Sequence, residues 1–217
     1  KKTIVKNFLL FACILIFLSS CNLSERSISE NNEFLKGNEV LKGNEKFAFD
    51  IFKDLANEDV NKDIFISPLS ISSALTMTYN GANTTTKEGM AKCLRYEGID
   101  MDTVNKSYKI LFQNFNNNRL GVTLDVNNSL WLRDGINVFD EFKNVNEQSF
   151  NALIQEIDFS RPDAADIINN WISKATKGKI KKMINPPIPD MFIYLINAIY
   201  FKGDWQQTFD SEKTIAS

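Results

Sequence analysis

Serine can act as a nucleophile, and four serines lie close together among apolar side chains near residue 70. They are Ser67, Ser70, Ser72 and Ser73, in the stretch FISPLSISSALTM. A serine nucleophile needs a general base, most often histidine, and this chain of 217 residues contains no histidine. The same absence removes Cys–His catalysis and the commonest zinc ligand. The residue types therefore argue against an enzyme and predict no metal site.

Short motifs for calcium, phosphate or dinucleotide binding are also missing from the sequence. The composition is that of a globular protein, with 43% hydrophobic and 24% charged residues. The net charge of −2 gives no reason to expect nucleic-acid binding. We therefore predict no cofactor and no nucleic-acid partner.

The first 20 residues have the pattern of an export signal. Lysines at positions 1, 2 and 6 precede an apolar run from Phe8 to Leu18. That run is short for a membrane-spanning helix, which needs about 20 apolar residues. A charged start, a short apolar run and then small residues are typical of a secretory signal, so residues 1–20 are predicted to be a signal peptide.

Cys21 follows this segment directly, in the order Leu18-Ser19-Ser20-Cys21, which resembles a bacterial lipobox. In such signals the cysteine thiol is alkylated with diacylglycerol, and cleavage leaves the cysteine as the new N-terminus. We predict lipidation at Cys21 and an extracellular, membrane-anchored protein. Simple cleavage near Ser20, with an ordinary thiol at Cys21, is the alternative. Residues 21–43 are polar, contain a duplicated LKGNE, and are predicted to be a flexible spacer.

The serine-rich stretch has the signals of a helix. Ser67 is a good N-cap, Pro68 a good first helical residue, and Gly81 is expected to follow its last turn. No charged residue lies within the predicted helix, so it should be buried nearly all round. Its buried hydroxyls must then find hydrogen-bond partners.

The other elements follow from hydrophobic periodicity. Further helices are predicted where the apolar stripes include Phe47–Leu55, Met90–Leu94 after a cap at Thr85 or Thr86, Val104–Phe115, Phe139–Phe150 and Ile167–Ala175. Strands are predicted at Ile64–Ile66, at Val122–Leu132 (half-buried, with Asn128 alone on its apolar face), at Leu153–Phe159 and at Met191–Phe201. The last is apolar on both faces with Asn197 alone inside it, as expected of a central strand. Cys93 is predicted to be a small buried hydrophobe on its helix. Helices and strands interleave without a regular βαβ period, so the fold class is α+β.

The order of these segments resembles the serpin family, which comprises protease inhibitors and non-inhibitory relatives. Six collinear blocks carry the resemblance: NEKFAFDIFKDL, IFISPLSISSALTM, NNSLWL, EIDF, INNWISKATKGKI and INAIYFKGDW. They imply that residues 44–217 are the N-terminal portion of a multi-helix, multi-sheet serpin domain. The chain begins with Lys1 rather than Met, so it is expected to be incomplete, with the reactive loop outside it.

The resemblance implies inhibition of a serine or cysteine endopeptidase. In inhibitory serpins the protease cleaves an exposed loop, which then inserts into the main sheet as a new strand and carries the acyl-linked protease with it.

The resemblance also implies site residues. Ser67, Ser70 and Asn197 resemble the family's shutter, beneath the main sheet where strands must part. Gly203 and Trp205 would lie at the top of that sheet, near the place where the loop enters. A lone asparagine in a central strand is costly unless paired, so we predict that Asn197 bonds to the Ser67 or Ser70 region. Alternatively, each serine caps or bonds back to its own helix.

Several partners and alternatives were weighed from the same residues. The helix over Val104–Phe115 carries only Lys106 and Lys109 as basic residues, so no polyanion cofactor is expected. A non-inhibitory serpin that acts as a binding or chaperone-like protein is one alternative. A lipoprotein solute-binding protein also fits the N-terminus, but it would need repeated βαβ units.

Overall fold

The computed structural model describes residues 38–58, 61–115, 122–186, 188, 191–205 and 207. The chain divides after Asn38, and every helix and strand given below lies in Glu39–Ser217. The predicted signal peptide, Cys21 and most of the predicted spacer lie outside the described residues.

Six helices and three strands make up the described part of the chain. They are α1 (Glu39–Glu58), α2 (Pro68–Tyr79), α3 (Thr84–Leu94), α4 (Met101–Phe115), β1 (Val122–Arg133), α5 (Asp140–Phe150), β2 (Ala152–Ile157), α6 (Ala164–Ala175) and β3 (Ile193–Gly203). The mixture of helices with one sheet confirms the α+β class. No helix among these residues is long and apolar enough to cross a membrane.

The predicted boundary between spacer and domain after Gly43 is wrong. Helix α1 begins at Glu39, and Val40 is fully buried. Val40 precedes Phe47 by seven residues, so both lie on the same face of the helix, and the buried stripe begins earlier than the sequence pattern suggested. Gly43 is also buried, against the backbone carbonyl of Arg95.

Two helical glycines should respond in opposite ways to alanine. A Cβ on Gly43 would lie 2.7 Å from the Arg95 carbonyl oxygen, whereas a Cβ on Gly89 would meet nothing within 4 Å. Alanine normally favours a helix interior over glycine by about 0.5–1 kcal/mol. We expect Gly89→Ala to raise the free energy of unfolding, and Gly43→Ala to lower it by about 1–3 kcal/mol because the backbone must shift. Urea unfolding of both variants is the measurement, and a stabilising Gly43→Ala would contradict the packing described.

Helix α2 is the element that the sequence predicted most closely. It starts at Pro68 after the N-cap Ser67 and ends at Tyr79, with Asn80 as its C-cap. Thr78 is its one exposed residue, and the others are buried or partly buried. This burial places its small hydroxyls against neighbouring elements on more than one side.

The sheet has the strand order β2-β1-β3. Strand β1 is parallel to β2 and antiparallel to β3, and Asn128 of β1 lies directly opposite Asn197 of β3. The prediction that β1 is half-buried is wrong, because every residue from Asn128 to Leu132 is buried. One face of the sheet packs in the core with α2, and Trp131 on the other face packs with α6.

Strand β3 lies at an edge of the sheet formed by the described residues, not at its centre. Its only strand neighbour there is β1. Leu195 and Ile199 pack in the core that contains α2, while Tyr194 and Ile196 pack with the core that contains α6. A run that is apolar on both faces therefore reports two covered faces and does not report two neighbouring strands.

Three smaller predictions also differ from the structure. Residues Ile64–Ile66 form no strand, and Phe65 is fully exposed, since no described strand pairs with them. Helix α3 is capped by Asn83 rather than by Thr85 or Thr86. Cys93 is exposed because the inward stripe of α3 ends on the neighbouring residue, Leu94.

Candidate functional site

The side-chain amide of Asn197 connects β3 to both α2 and β1. Ser70 Oγ donates a hydrogen bond to Asn197 Oδ1. Asn197 Nδ2 donates to Ser73 Oγ at 3.0 Å and to Asn128 Oδ1 at 2.7 Å. Both amide hydrogens and the amide oxygen therefore have partners, and the polar group costs little in its apolar strand. The structure thus brings Ser70 and Asn197 together, as the sequence led us to expect.

Asn128 and Ser73 are members of this cluster that the sequence reasoning did not assign to the site. Asn128 is only 1% exposed, and its Nδ2 donates to the carbonyl of Phe150 at 2.7 Å, at the end of α5. Its position as the lone polar residue on the apolar face of β1 was the available signal. Ser73 lies one turn after Ser70 on α2, so it faces the same side of the helix. We call Ser70, Ser73, Asn128 and Asn197 the amide cluster.

Ser67 is not part of the amide cluster. It is exposed, and its Oγ accepts a hydrogen bond from the backbone N–H of Ser70 at 3.4 Å. This is the N-cap role that its sequence position predicts. Ser72 and Ser73 also donate to the carbonyls of Leu69 and Ser70, at 3.2 and 3.0 Å. Local bonding therefore describes Ser67 fully, but it accounts for only one of the contacts that Ser73 makes.

A second set of hydroxyls lies on the opposite side of α2, within the helical core. Tyr96 and Tyr108 bring their hydroxyl oxygens within 2.9 Å of each other, and Tyr108 donates to Ser72 Oγ at 3.1 Å. Tyr96 also donates to Asn44 Oδ1 at 2.6 Å. Burial raises the pKa of Tyr96 far above its usual range, so the phenol stays protonated and able to donate. These bonds fix α2 to α1 and α4, which gives β3 a firm support to rest on.

The space beside the edge of β3 is open at two places. A cavity of about 890 Å³ is lined at one end of the strand by residues that include Ser67, Leu69, Ile199 and Phe201. Another, of about 450 Å³, lies at the other end against Leu130, Phe142, Ile193 and Leu195. Both are lined largely by apolar side chains.

Gly203 and Trp205 lie at the far end of β3. Gly203 pairs with Val122 at the start of β1, and the Trp205 side chain is 70% exposed. Neither residue contacts the amide cluster through a hydrogen bond given for the described chain. Their predicted role, near the place where a loop enters the sheet, stays a prediction.

The chemistry available at the amide cluster is that of neutral hydrogen bonds. Hydroxyl and amide groups can hold a strand in place and release it, but they provide no activated nucleophile and general base. Within the described residues, no group of three or more acidic or cysteine side chains is placed to hold a metal ion. The arrangement is therefore suited to a structural change of the sheet.

Comparison with known proteins follows the same outline. The family model described as Serpin (serine protease inhibitor) matches residues 42–217. Among curated proteins, the chain is 35% identical over 173 residues to a leukocyte elastase inhibitor from Bos taurus, covering 78% of this chain and 45% of that protein.

Solved structures show the same similarity. Emu ovalbumin matches with a TM-score of 0.75 and 27% identity, over 82% of this chain and 50% of that chain. Human thyroxine-binding globulin complexed with its hormone matches with a TM-score of 0.69 and 27% identity, over 83% and 48% of the two chains. The chain thus spans about half the length of the proteins that it resembles.

Proposed function

Because this chain belongs to the serpin family, we propose that the protein inhibits a serine or cysteine endopeptidase by inserting a cleaved loop as a new strand beside β3. The observation that carries this proposal is the edge of β3. Its only described neighbour is β1, and its central asparagine is tied to α2 by serine side chains. The leukocyte elastase inhibitor from Bos taurus supports a protease as the partner.

Strand insertion has a clear energetic basis at this edge. Backbone N–H and C=O groups on the side of β3 away from β1 would each pair with the incoming strand. Each such hydrogen bond contributes about 0.5–1.5 kcal/mol net, and further side-chain burial adds to it. The strand must first move relative to α2, which exchanges the bonds of Asn197 to Ser70 and Ser73. In this proposal the amide cluster holds the sheet closed until the loop is cut.

The chemical step belongs to the protease, and this chain is not an enzyme in our proposal. The protease serine or cysteine attacks the carbonyl of the scissile residue, an acyl bond to the protease forms, and the peptide C–N bond breaks with a proton passing to the departing amine. Insertion then draws the acyl-linked protease away before water can hydrolyse the bond.

The test is the product of mixing full-length inhibitor with candidate serine and cysteine proteases. We expect an adduct that survives denaturing gel electrophoresis, because the acyl bond is covalent. The adduct should be absent with a protease whose nucleophile is already blocked. Complete inhibition that is reversible and leaves no adduct would contradict strand insertion as the mechanism.

A non-inhibitory serpin is the second candidate. It is favoured by the likeness to structures named ovalbumin and thyroxine-binding globulin, at TM-scores of 0.75 and 0.69. A binding or chaperone-like protein of this kind would be cleaved by proteases without forming the adduct. The serpin fold leaves no place for the solute-binding protein considered from the sequence.

We further propose that the protein is exported by residues 1–20 and anchored outside the cell membrane through Cys21. Two acyl chains give stable anchoring, since each buried methylene contributes about 0.8 kcal/mol. Mass spectrometry of the membrane fraction should find a mature protein that begins at a lipidated Cys21, and Cys21→Ala should abolish that form. An unmodified Cys21 thiol, or protein that is wholly in the soluble fraction, would contradict the anchor.

A further inference from the structure

A run of lysines follows helix α6. Five of them, at positions 174, 177, 179, 181 and 182, fall within nine residues, and all five are exposed. No acidic residue occurs between Asp166 and Asp190. Since the whole chain has a net charge of −2, this run is a local concentration of positive charge. We call residues 174–182 the lysine segment.

The lysine segment is fixed against the sheet by Lys177. Its Nζ lies 2.7 Å from Asp125 Oδ2 and 4.5 Å from the centre of the Tyr200 ring. Asp125 and Tyr200 lie opposite each other on β1 and β3. The segment therefore has a defined position at the same end of β3 as Gly203.

A sixth lysine joins the segment from the sheet. Lys202 of β3 and Lys179 line the same cavity of about 890 Å³. Lys202 is two residues from Tyr200, so both side chains lie on the same face of the strand. The positive charges thus come from two elements and surround a concave surface.

Most of these charges lack an acidic partner. In the part of the chain that the structure describes, Lys177 pairs with Asp125, while Lys174, Lys179, Lys181, Lys182 and Lys202 form no ion pair. Charges this close in sequence interact within a Debye length, about 8–10 Å at physiological ionic strength, so they repel one another. A ligand with several negative charges would relieve that repulsion.

We propose that the lysine segment, with Lys202, binds an acidic polysaccharide that carries sulfate or carboxylate groups. Lysine acts as a point charge toward a single anionic group, whereas planar bidentate recognition uses arginine. No arginine follows Arg161 in the sequence. A polymer chain can follow the concave surface between Lys179 and Lys202, which a flat bilayer cannot enter. The ring of Tyr200 is covered by Lys177 and gives a nucleic-acid base no face to stack on.

This binding does not depend on protease inhibition. Nor does it involve α4, whose Lys106 and Lys109 were the reason to expect no polyanion cofactor. Lysines outside the segment therefore provide a control with the same change of charge. Lys46, Lys53 and Lys109 are exposed and lie on α1 and α4.

The experiment uses the full-length protein and heparin as the sulfated probe. We compare the unchanged protein, the triple variant Lys179→Ala, Lys181→Ala, Lys182→Ala, and the control triple variant Lys46→Ala, Lys53→Ala, Lys109→Ala. The first triple variant should lose at least about tenfold in affinity, and the slope of log affinity against log salt should fall by roughly 2–3 units. The control should keep most of its affinity, and the melting temperatures of both variants should match that of the unchanged protein.

Several outcomes would overturn the proposal. Equal losses in the two triple variants would show that only net charge matters, and equal binding to uncharged dextran would show that the anionic groups do not. A single-stranded oligonucleotide or vesicles with anionic lipid are run in parallel at the same salt. If either binds more tightly than heparin, and the first triple variant removes that binding, the partner is not an acidic polysaccharide.

Discussion

Replacing Asn197 with alanine in the full-length protein is expected to produce polymers on mild heating. The change removes the hydrogen bonds that Asn197 makes with Ser70, Ser73 and Asn128. It also leaves the buried Oδ1 of Asn128 without this donor, and such a loss costs about 1–3 kcal/mol. With β3 no longer held to α2, its edge is free to take a strand from another molecule.

The matched control for this experiment is Asn127→Ala. Asn127 is the neighbouring residue of β1 and faces the opposite side of the sheet, where its Nδ2 donates to the Ala175 carbonyl at 3.3 Å. We expect this variant to melt at a slightly lower temperature and to stay monomeric. Size-exclusion chromatography after incubation a few degrees below the melting temperature measures both variants. An Asn197→Ala protein that stays monomeric, with unchanged melting, would show that the amide cluster does not hold the sheet.

Ser67→Ala separates helix capping from strand control. Ser67 contacts the backbone of Ser70 and makes no hydrogen bond to Asn197 in the described structure. The loss of an N-cap costs about 0.5–2 kcal/mol, so the variant should be less stable without a matching rise in polymers. Polymers as abundant as those of Asn197→Ala would mean that general instability, and not the amide cluster, causes them.

Local signals allowed α2 and its contact with β3 to be predicted from the sequence. Ser67 and Pro68 are start signals whose effect depends on the backbone alone, and the structure has the helix at Pro68–Tyr79. The pairing of Asn197 with Ser70 followed from the cost of a lone amide in an apolar strand. Both inferences use only short-range chemistry and the rule that buried polar groups are satisfied.

Strand order and exposure could not be predicted in the same way. Two-sided hydrophobicity in β3 reports the helices on both faces of the sheet, and it says nothing about which strand edges are paired. Cys93 lies beside the inward stripe of α3, and a shift of one residue on a helix is enough to turn it toward solvent. Asn128 was visible as an exception in β1, but its partner across the sheet depends on register, which is set by long-range contacts.

The significance of the lysine segment also depended on the fold. In the sequence, the run is a set of charges after a helix, which is usually a solvated surface. The structure places Lys179 with Lys202 around one cavity and fixes Lys177 against Tyr200. Residues that are more than twenty positions apart in the chain therefore form one surface.

Hydrogen exchange at the backbone amides of β3, before and after the target protease cleaves the reactive loop, tests the central claim most directly. Strand insertion beside β3 adds a ladder of hydrogen bonds to the edge that β1 does not occupy. We predict that protection of the β3 amides rises strongly on cleavage, while amides in the buried helix α2, including that of Met77, change little. If the protease is inhibited and β3 exchanges at the same rate before and after cleavage, the loop does not insert there and the proposed mechanism is wrong.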